Sequence, residues 1–349
     1  MSHHIVIMAG GIGTRFWPLS RQKKAKQFLP IIGDDSLIEQ TISRLSPLLT
    51  NTNLWIVTNK NQKSEFDSLN LPAINFLYEP EGKNTLPCIG WAAQEISKKD
   101  SDATMVVLPA DHFIKDHDLF ISTLKEGIEI AESENALITI GIKPTSPHTG
   151  YGYIETDSAK KTTSLEKGMS VLSFHEKPNI QTALSYIEHG SFYWNSGMFI
   201  WTTSQILSAI ETYQPKQYER LTALKHLHQD SPEFLSCFKS FDSISIDYGI
   251  LEKAPNIKMI SGQFSWSDVG SWSSLSDFWE QDDNGNSIKG DYVGINSHNN
   301  LIYSEKGVVS LIDTNDHMVI QTEDALLIAP ITSDQKVKDL HEQLPNKLK

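Results

Sequence analysis

The sequence of 349 residues has few cysteines, no long apolar run and, over its first 33 residues, no acidic side chain. Its two cysteines, Cys88 and Cys237, lie far apart and without neighbouring thiols, which argues against a disulfide scaffold or a cysteine zinc site and suits a reducing compartment. No stretch approaches the roughly 20 apolar residues of a membrane helix, and the N-terminus lacks the pattern of a secretory leader. We therefore expect a cytoplasmic protein without membrane contact.

The charged side chains are unevenly distributed along the chain. The formal net charge is −13, which argues against general binding to nucleic acid or to an anionic membrane. All 43 acidic residues lie beyond residue 33, whereas the segment before it carries Arg15, Arg21, Lys23, Lys24 and Lys26. A cationic run is often only a solvated face, but this one follows a glycine-rich turn. The combination favours a site for a polyanion such as a polyphosphate.

Short apolar runs alternate with amphipathic segments through most of the chain. The runs at residues 5–8, 54–57, 105–108 and 136–140 have the length and composition of buried strands. This alternation predicts an α/β domain with parallel strands and crossover helices. After a turn-rich cluster near residue 283, shorter apolar segments recur every eight to ten residues, which predicts a small all-β module with a terminal helix. We divide the chain into domains 1–283 and 284–349.

The glycine-rich turn that follows the first strand is suited to binding phosphate. Glycine adds no side chain and accepts the torsions that bring backbone N–H groups close to phosphate oxygens. The turn is not the dinucleotide fingerprint, because Phe16 stands where the third glycine would fall, and no P-loop motif occurs in the chain. These absences argue against an NAD-dependent dehydrogenase.

Longer motifs resemble those of the sugar-1-phosphate nucleotidylyltransferases, and within them those of the bacterial mannose-1-phosphate guanylyltransferases, or GDP-mannose pyrophosphorylases. The first motif reads GGIGTRFWPLSR at residues 10–21 and continues as KQFLP at residues 26–30. Further motifs follow in the family's order over nearly the whole chain, at residues 79–87, 108–112, 141–154, 174–178, 194–199, 245–248 and 266–272. The resemblance implies a Rossmann-like nucleotide-diphospho-sugar transferase domain, with a mixed, mainly parallel sheet flanked by helices, and a β-helix-like C-terminal module.

The reaction that the resemblance implies transfers a guanylyl group. Mannose 1-phosphate attacks the α-phosphorus of GTP, pyrophosphate leaves, and GDP-mannose forms as a precursor of surface polysaccharides. No nucleophilic side chain is needed, because the second pKa of a phosphate monoester is about 6 and the attacking group is already ionised at neutral pH. Cations must instead overcome the repulsion between two polyanions. Arg15 would stabilise the leaving pyrophosphate, and Lys26 would act nearer the α-phosphate.

Two distant carboxylates complete the implied nucleotide site. Asp111 follows an apolar run at the expected C-terminal end of a strand, where a carboxylate suits Mg²⁺. Asp268 resembles the family's second carboxylate for this ion, although an aspartate in such a position is also a common turn former. The predicted nucleotide-binding residues are Gly10, Gly11, Gly13, Thr14, Glu81, Asn84 and Asp111.

The resemblance assigns recognition of the sugar phosphate to another set of residues. Glu176 and Asn195 would contact mannose hydroxyls, and the backbone of Gly152 would lie against the sugar. Lys177 would meet the phosphate, and Asp247 is a further candidate in this site. For Trp266, Trp272 and Trp279 we expect burial against the β module, with stacking on a ligand as the alternative.

Selectivity and assembly stay open at this point. The chain has Lys83 where the family commonly has arginine, Leu86 where it has alanine and Gly249 where it usually has alanine, and the first two lie near the expected base pocket. A guanylyltransferase for another sugar 1-phosphate, such as a heptose, is one alternative function. A catalytically silent sugar-nucleotide sensor is another, although retention of the charged site residues argues against it. A homodimer is compatible with the sequence.

Overall fold

The computed structural model describes residues 1–49, 53–69, 71, 73–157 and 168–349. Within these residues, the strands of the α/β domain are β1 (His3–Ala9), β2 (Leu54–Asn59), β3 (Asn75–Glu79), β4 (Thr104–Pro109), β5 (Phe113–Ile114), β6 (Leu137–Ile142), β7 (Tyr153–Thr156), β8 (Met169–His175), β9 (Phe192–Thr202), β10 (Ile257–Gly262) and β11 (Trp266–Ser267). The C-terminal strands are β12 (Glu280–Gln281), β13 (Ser287–Ile295), β14 (Leu301–Ile312), β15 (His317–Gln321) and β16 (Leu326–Pro330). The helices are α1 (Leu37–Arg44), α2 (Lys63–Ser68), α3 (Thr85–Ser97), α4 (His117–Glu134), α5 (Ile180–His189), α6 (Thr203–Tyr213), α7 (Pro215–Leu224), α8 (Pro232–Lys239) and α9 (Val337–Gln343).

The main sheet of the described chain has the strand order β3-β2-β1-β4-β9-β6-β10-β8-β7. β1 pairs in parallel with β2 and β4, β2 pairs in parallel with β3, and β6 pairs in parallel with β10. β9 is antiparallel to β4, β6 and β7. The α/β prediction is confirmed, and the predicted parallel pairing is concentrated around β1. Antiparallel pairing dominates beyond β4, where β8 is also antiparallel to β7 and β10.

Both faces of the sheet are covered, as a mostly buried sheet requires. Along β1, Ile5 and Ile7 point into one apolar cluster and Val6 points into the cluster on the opposite face. α4 packs on the first face through Phe120 and Leu124, and α3 packs on the second together with α6 and α7. Because β3, β2, β1 and β4 are parallel neighbours in that order, their carboxyl ends lie at one sheet edge, where α/β proteins bind ligands.

The C-terminal module is built from the parallel strands β13, β14 and β15, with β12 and β16 antiparallel at its ends. Two buried asparagines connect its successive turns. Nδ2 of Asn286 donates to the carbonyl oxygen of Ser297 at 2.9 Å, and Oδ1 of Asn286 accepts from Nδ2 of Asn300 at 2.9 Å. Asn300 in turn donates to the carbonyl oxygen of Thr314 at 2.8 Å and accepts from the N–H of His317 at 3.0 Å. This ladder satisfies backbone groups in the turns of a β-helix. The prediction of a β-helix-like C-terminal module is confirmed.

The β module packs against the signature segment, defined here as residues 10–33. Buried side chains from both form one apolar cluster, which includes Phe16, Trp17, Trp272, Trp279 and Val337. The indole N–H of Trp272 donates to the carbonyl oxygen of Trp17 at 3.0 Å, and that of Trp279 donates to the carbonyl oxygen of Ile31 at 2.8 Å. The expected burial of Trp272 and Trp279 is confirmed. No helix in the described ranges is long and apolar enough to cross a bilayer.

The asparagine ladder makes a stability prediction. Replacing Asn300 by alanine removes the acceptor of the His317 N–H and one of the two donors to the Thr314 carbonyl, which keeps its bond from the N–H of His298, and Asn300 itself is only 1% exposed. Because a buried unpaired group costs about 1–3 kcal/mol, we expect Asn300→Ala to lower the free energy of unfolding by about 1–3 kcal/mol. Urea unfolding followed by circular dichroism measures this change. Asn346→Ala, at an exposed position, serves as the control, and equal midpoints for the two variants would contradict the prediction.

Candidate functional site

Two adjoining cavities lie at the carboxyl ends of β1, β3 and β4. The larger has a volume of about 670 Å³ and the smaller about 390 Å³, and both are lined by His112 and Asp268. Predicted residues that line the larger cavity are Gly10, Gly11, Asn84, Gly152, Glu176, Lys177, Asn195, Asp247 and Asp268. Those that line the smaller are Gly13, Thr14, Arg15, Lys26, Asp111 and Asp268. Of the predicted site residues, Glu81 lines neither cavity.

Gly13 allows Lys26 to reach the smaller cavity. Its φ is +75°, and a Cβ at this position would lie 2.3 Å from the Cβ of Lys26, so only glycine fits. The two neighbouring segments are joined by a hydrogen bond from the N–H of Lys26 to the carbonyl oxygen of Ile12 at 3.1 Å. The lysine side chain therefore runs beneath the glycine turn, and Lys26 is only 4% exposed.

The ammonium group of Lys26 holds three segments of the chain together. Its Nζ lies 2.8 Å from Oδ2 of Asp111 and donates to the backbone carbonyl oxygen of Asp268 at 2.8 Å. Burial by itself would raise the pKa of Asp111, but Lys26, with a smaller contribution from His112, holds that pKa below its ordinary value. Asp111 is therefore ionised at neutral pH. Its ion pair with Lys26 joins the signature segment to the end of β4.

Arg15 presents an unpaired guanidinium group to the same cavity. Its Nε is buried and has no hydrogen-bond partner, and Arg15 forms no ion pair with any described residue. Buried donors in native proteins are almost always satisfied, by solvent or ligand where the protein supplies no acceptor. A guanidinium fork matches the paired oxygens of a phosphate group. Arg15 can therefore bind a phosphate without first breaking an internal ion pair.

The border between the cavities consists of neutral donors around Asp268. The hydroxyl of Tyr151 donates to Oδ1 of Asp268 at 3.0 Å, and burial together with this carboxylate raises the pKa of Tyr151. The indole N–H of Trp266 donates to Nδ1 of His112 at 3.1 Å. Burial lowers the pKa of His112 to about 4, so the imidazole is neutral at pH 7. Because Nδ1 of this ring accepts the bond from Trp266, the ring proton is on Nε2. The expectation that Trp266 packs against the β module is wrong, because its indole lines the larger cavity.

The residues of the smaller cavity suit a hard divalent cation. Asp111 and Asp268 both line it, and the described ranges hold no cluster of three or more histidine, cysteine or acidic side chains arranged as a metal site. Two carboxylates without a soft ligand do not form a complete protein cage. They match an ion such as Mg²⁺, which binds to one or two carboxylates and takes its other ligands from water and substrate phosphates.

A buried carboxyl group, that of Glu79, lines the larger cavity. Glu79 ends β3, is 3% exposed, and has no hydrogen-bond partner for Oε1. Burial raises the pKa of Glu79 to about 8. A Cβ on Gly10 would lie 3.0 Å from Oε2 of Glu79, so the glycine leaves room for this carboxyl group. Glu81, predicted as the contact in this region, instead pairs with Lys83 at 2.7 Å and lines neither cavity.

Asn84 lies at the start of α3, beside the larger cavity. Its φ is +69°, a value that asparagine tolerates better than most residues, and its Oδ1 accepts from the N–H of Thr85 at 2.8 Å. The hydroxyl of Thr85 accepts from the N–H of Ile246 at 2.8 Å. The bond between Thr85 and Ile246 ties the start of α3 to the segment that carries Asp247.

A polar cluster forms another wall of the larger cavity. Nδ2 of Asn195 donates to Oδ1 of Asp247 at 2.8 Å, and the N–H of Asn195 donates to the carbonyl oxygen of Gly152 at 2.8 Å. A Cβ on Gly152 would lie 2.8 Å from Oε2 of Glu176, so this glycine allows the backbone and the carboxylate to approach. Lys177 pairs with Glu176 at 3.0 Å. Burial raises the pKa of Asp247, although the bond from Asn195 opposes the shift.

Comparisons with known proteins agree with this arrangement. A nucleotidyl transferase family model matches residues 4–285, and a MannoseP isomerase/GMP-like beta-helix domain model matches residues 290–344. The chain belongs to the nucleotidyl transferase family. It is 37% identical to a mannose-1-phosphate guanylyltransferase of Escherichia coli, over 97% of this chain and 75% of that protein. It is 34% identical to xanthan biosynthesis protein XanB of Xanthomonas campestris, over 97% and 72%.

A solved structure extends the likeness to the whole fold. The crystal structure of mannose-1-phosphate geranyltransferase from Thermus thermophilus superposes with a TM-score of 0.86 at 28% identity, covering 98% of this chain and 99% of that one. The β module is therefore part of the architecture that this nucleotidyltransferase shares with that structure. The recognition of the sugar-1-phosphate nucleotidylyltransferases from sequence motifs is confirmed.

Two members of this nucleotidyltransferase site, Glu79 and Tyr151, do not follow from the sequence reasoning. Glu79 falls inside a recognised motif, but Glu81 follows the same apolar run and offers the same carboxylate. The distinguishing signal is position: Glu79 is the last residue of β3, at the ligand-binding edge, whereas Glu81 lies two residues beyond it. Tyr151 gives no local signal, because its hydrogen bond to Asp268 joins residues far apart in sequence.

The raised pKa of Glu79 makes a prediction about stability and pH. Between its ordinary pKa of 4.5 and the folded-state value of about 8, the folded protein holds a proton that the unfolded chain has lost. The contribution of Glu79 to the stability of the parent protein should therefore fall as pH rises from about 5 to 8, and the stability of Glu79→Gln relative to the parent should rise over the same range. At pH 8 the variant should be more stable by about 3–5 kcal/mol, and near pH 5 the two should be equal.

Denaturant unfolding at pH 5, 6, 7 and 8 measures this difference. Glu81→Gln is the matched control, because Glu81 is partly exposed and outside both cavities, and its curve should run parallel to that of the parent. Parallel curves for Glu79→Gln and the parent would show that the Glu79 carboxyl group titrates normally.

Proposed function

We propose that the protein is a mannose-1-phosphate guanylyltransferase, which converts GTP and mannose 1-phosphate to GDP-mannose and pyrophosphate. Relatives with that activity in their names match nearly the whole chain. The observation that carries the proposal is the smaller cavity, where Arg15, Lys26, Asp111 and Asp268 come together beside a larger cavity rich in hydrogen-bonding groups. A nucleoside triphosphate needs such a division between a phosphate end and a base and sugar end.

The base would lie at the end of the larger cavity that holds Glu79. Guanine has donors at N1 and N2, and its recognition requires an acceptor that faces both. The unpaired carboxyl group of Glu79 is such an acceptor, and its ionised form would be stabilised by these two donors. Gly10, Gly11 and Asn84 line the same region and would contact the base or the ribose through backbone groups and an amide.

The triphosphate would extend from there into the smaller cavity. Arg15 would bind the β- and γ-phosphate oxygens and stabilise the charge that grows on the departing pyrophosphate. Lys26 would act nearer the α-phosphate, and its contacts with Asp111 and the Asp268 carbonyl hold its ammonium group in place before substrate arrives. Glycines 10, 11 and 13 allow the backbone of the turn to approach the phosphates closely.

Mannose 1-phosphate would bind at the opposite wall of the larger cavity. Asn195 and Glu176 would bind sugar hydroxyls, and Lys177 would bind the 1-phosphate. Asp247 would orient the amide of Asn195, with which it already forms a hydrogen bond. The phosphate oxygen of the sugar would then face the α-phosphorus opposite the pyrophosphate, as in-line displacement requires.

We assign Asp111 and Asp268 as the residues that would hold a Mg²⁺ ion. When bound, the ion neutralises phosphate charge and helps to orient the triphosphate. Lys26 keeps Asp111 ionised, and Tyr151 fixes the carboxylate of Asp268, so both ligands are prepared for a cation. The free thiols of Cys88 and Cys237 fit a cytoplasmic location for this activity.

The proposal is tested by incubating the purified protein with Mg²⁺, each nucleoside triphosphate and a panel of sugar 1-phosphates, and measuring pyrophosphate release. We expect release to be strongest with GTP and mannose 1-phosphate. Arg15→Ala should lower kcat/KM by about 100-fold or more, because it removes a charge that binds the leaving group. Its Tm should stay unchanged, since Arg15 makes no ion pair with a described residue.

Lys23→Ala is the matched control for Arg15→Ala, because Lys23 belongs to the same cationic run but is exposed and lines neither cavity. Stronger release with a heptose 1-phosphate would assign a different sugar substrate. Binding of GTP without any release would support the sensor instead.

The assignment of Glu79 to guanine makes a separate prediction about base choice. Inosine triphosphate lacks the N2 amino group, so the parent should prefer GTP by about 10-fold or more in kcat/KM, the value of one hydrogen bond to a charged acceptor. Glu79→Gln should reduce this preference, because a neutral amide cannot accept from both donors equally well. Glu81→Gln should keep the parent ratio. An unchanged ratio in Glu79→Gln would exclude Glu79 from base recognition.

A further inference from the structure

We propose that Lys338, on helix α9 of the β module, binds the phosphates of the leaving pyrophosphate and completes the cationic end of the site. This inference rests on the proposed function, since it concerns the leaving group of that reaction. Lys338 lines the smaller cavity together with Arg15 and Lys26. The other described residues that line this cavity all belong to the α/β domain, at positions 13–270.

The charges around the cavity show why a further cation matters. Arg15 and Lys26 are balanced in formal charge by the carboxylates of Asp111 and Asp268. Without Lys338, the described side chains that line the cavity would therefore carry no net charge. A triphosphate is strongly anionic, and its pyrophosphate gains charge as the bond to the α-phosphorus breaks. Lys338 supplies the surplus positive charge.

The side chain of Lys338 is available for a ligand. It is exposed to solvent and to the cavity, and no salt bridge links it to another described residue. Lys26, by contrast, is buried and already binds Asp111. A flexible lysine at the cavity edge can follow a phosphate group as it moves away, whereas the buried lysine cannot.

Helix α9 is held in place from two sides. Val337 is buried in the apolar cluster with Phe16, the residue that follows Arg15, and α9 packs on the turn formed by residues 14–16. Just before the helix, the buried carboxylate of Asp334 accepts hydrogen bonds from the hydroxyls of Ser271 and Ser273, which follow Asp268 in the chain.

The chain end adds further contacts to the same surface. The indole N–H of Trp17 donates to the carbonyl oxygen of Leu348 at 3.0 Å, and the N–H of Gln22 donates to that of Lys349 at 3.2 Å. Lys338 is thus carried by a helix whose position is fixed relative to the two loops that hold Arg15 and Asp268. The β module would then take part in phosphate binding as well as in stability.

The test compares the parent with Lys338→Gln, Lys338→Arg and Lys336→Gln. Lys336 is also exposed and lies two residues away, but it does not line the cavity. Isothermal titration calorimetry of the Mg²⁺–pyrophosphate complex should give a Kd about 10-fold higher for Lys338→Gln, because a charge-assisted hydrogen bond is lost. Lys338→Arg and Lys336→Gln should stay within about twofold of the parent. The Tm should not change, since the replaced side chain is exposed.

Turnover separates this inference from the proposed function. In the pyrophosphate-release assay, Lys338→Gln should lower kcat/KM for GTP and leave KM for mannose 1-phosphate unchanged. If the parent turns over both substrates but Lys338→Gln binds pyrophosphate as tightly as the parent, the inference fails and the function stands. If the parent shows no turnover while pyrophosphate binding still depends on Lys338, the function fails and the phosphate contact stands.

Discussion

The site depends on one ion pair between a buried lysine, Lys26, and a partly exposed aspartate, Asp111. Nζ of Lys26 lies 2.8 Å from the Asp111 carboxylate and 2.8 Å from the carbonyl oxygen of Asp268, so a single ammonium group joins three segments that are far apart in the chain. Removing one partner of such a pair leaves an uncompensated charge, which is strongly destabilising. The same geometry requires glycine at position 13, because any side chain there would collide with Lys26. Stability and charge placement are therefore set by the same contacts.

This pair also explains how carboxylates and phosphates can share one cavity. Asp111 and Asp268 would repel a triphosphate if they were the only charges present. Lys26 offsets Asp111, Tyr151 donates to Asp268, and Arg15 has no competing carboxylate among the described residues. The lining is thus balanced before a ligand enters, and added cations decide its affinity for phosphate. The β module matters here because α9 packs on the turn that carries Arg15.

Much of this could be predicted from the sequence, where the information is local or carried by long motifs. The strands, the glycine turn, the β-helix module and most residues of both cavities follow from apolar periodicity and family resemblance. Glu79 and Glu81 could not be distinguished, because the choice depends on where β3 ends. The surface that Trp266 occupies could not be predicted either, since its partner His112 lies 154 residues away in sequence. The antiparallel β9 likewise depends on pairings between distant segments.

Two departures from the family pattern form a single packing arrangement. Leu86 stands at a position where alanine is common in the family, and its side chain is fully buried. Gly249 stands at another position where alanine is usual, and a Cβ there would lie 2.3 Å from Cδ1 of Leu86. Glycine at 249 therefore compensates for the larger side chain at 86, since overpacking a core typically costs about 1–3 kcal/mol. Gly249 lies in a π-helix over Asp247–Leu251, and Asp247 at the start of this helix accepts a hydrogen bond from Nδ2 of Asn195 at 2.8 Å. Neither Leu86 nor Lys83 lines the larger cavity. With the base placed in the larger cavity as proposed, its selectivity would depend on the groups that face this cavity, among which the Glu79 carboxyl group has an unpaired oxygen.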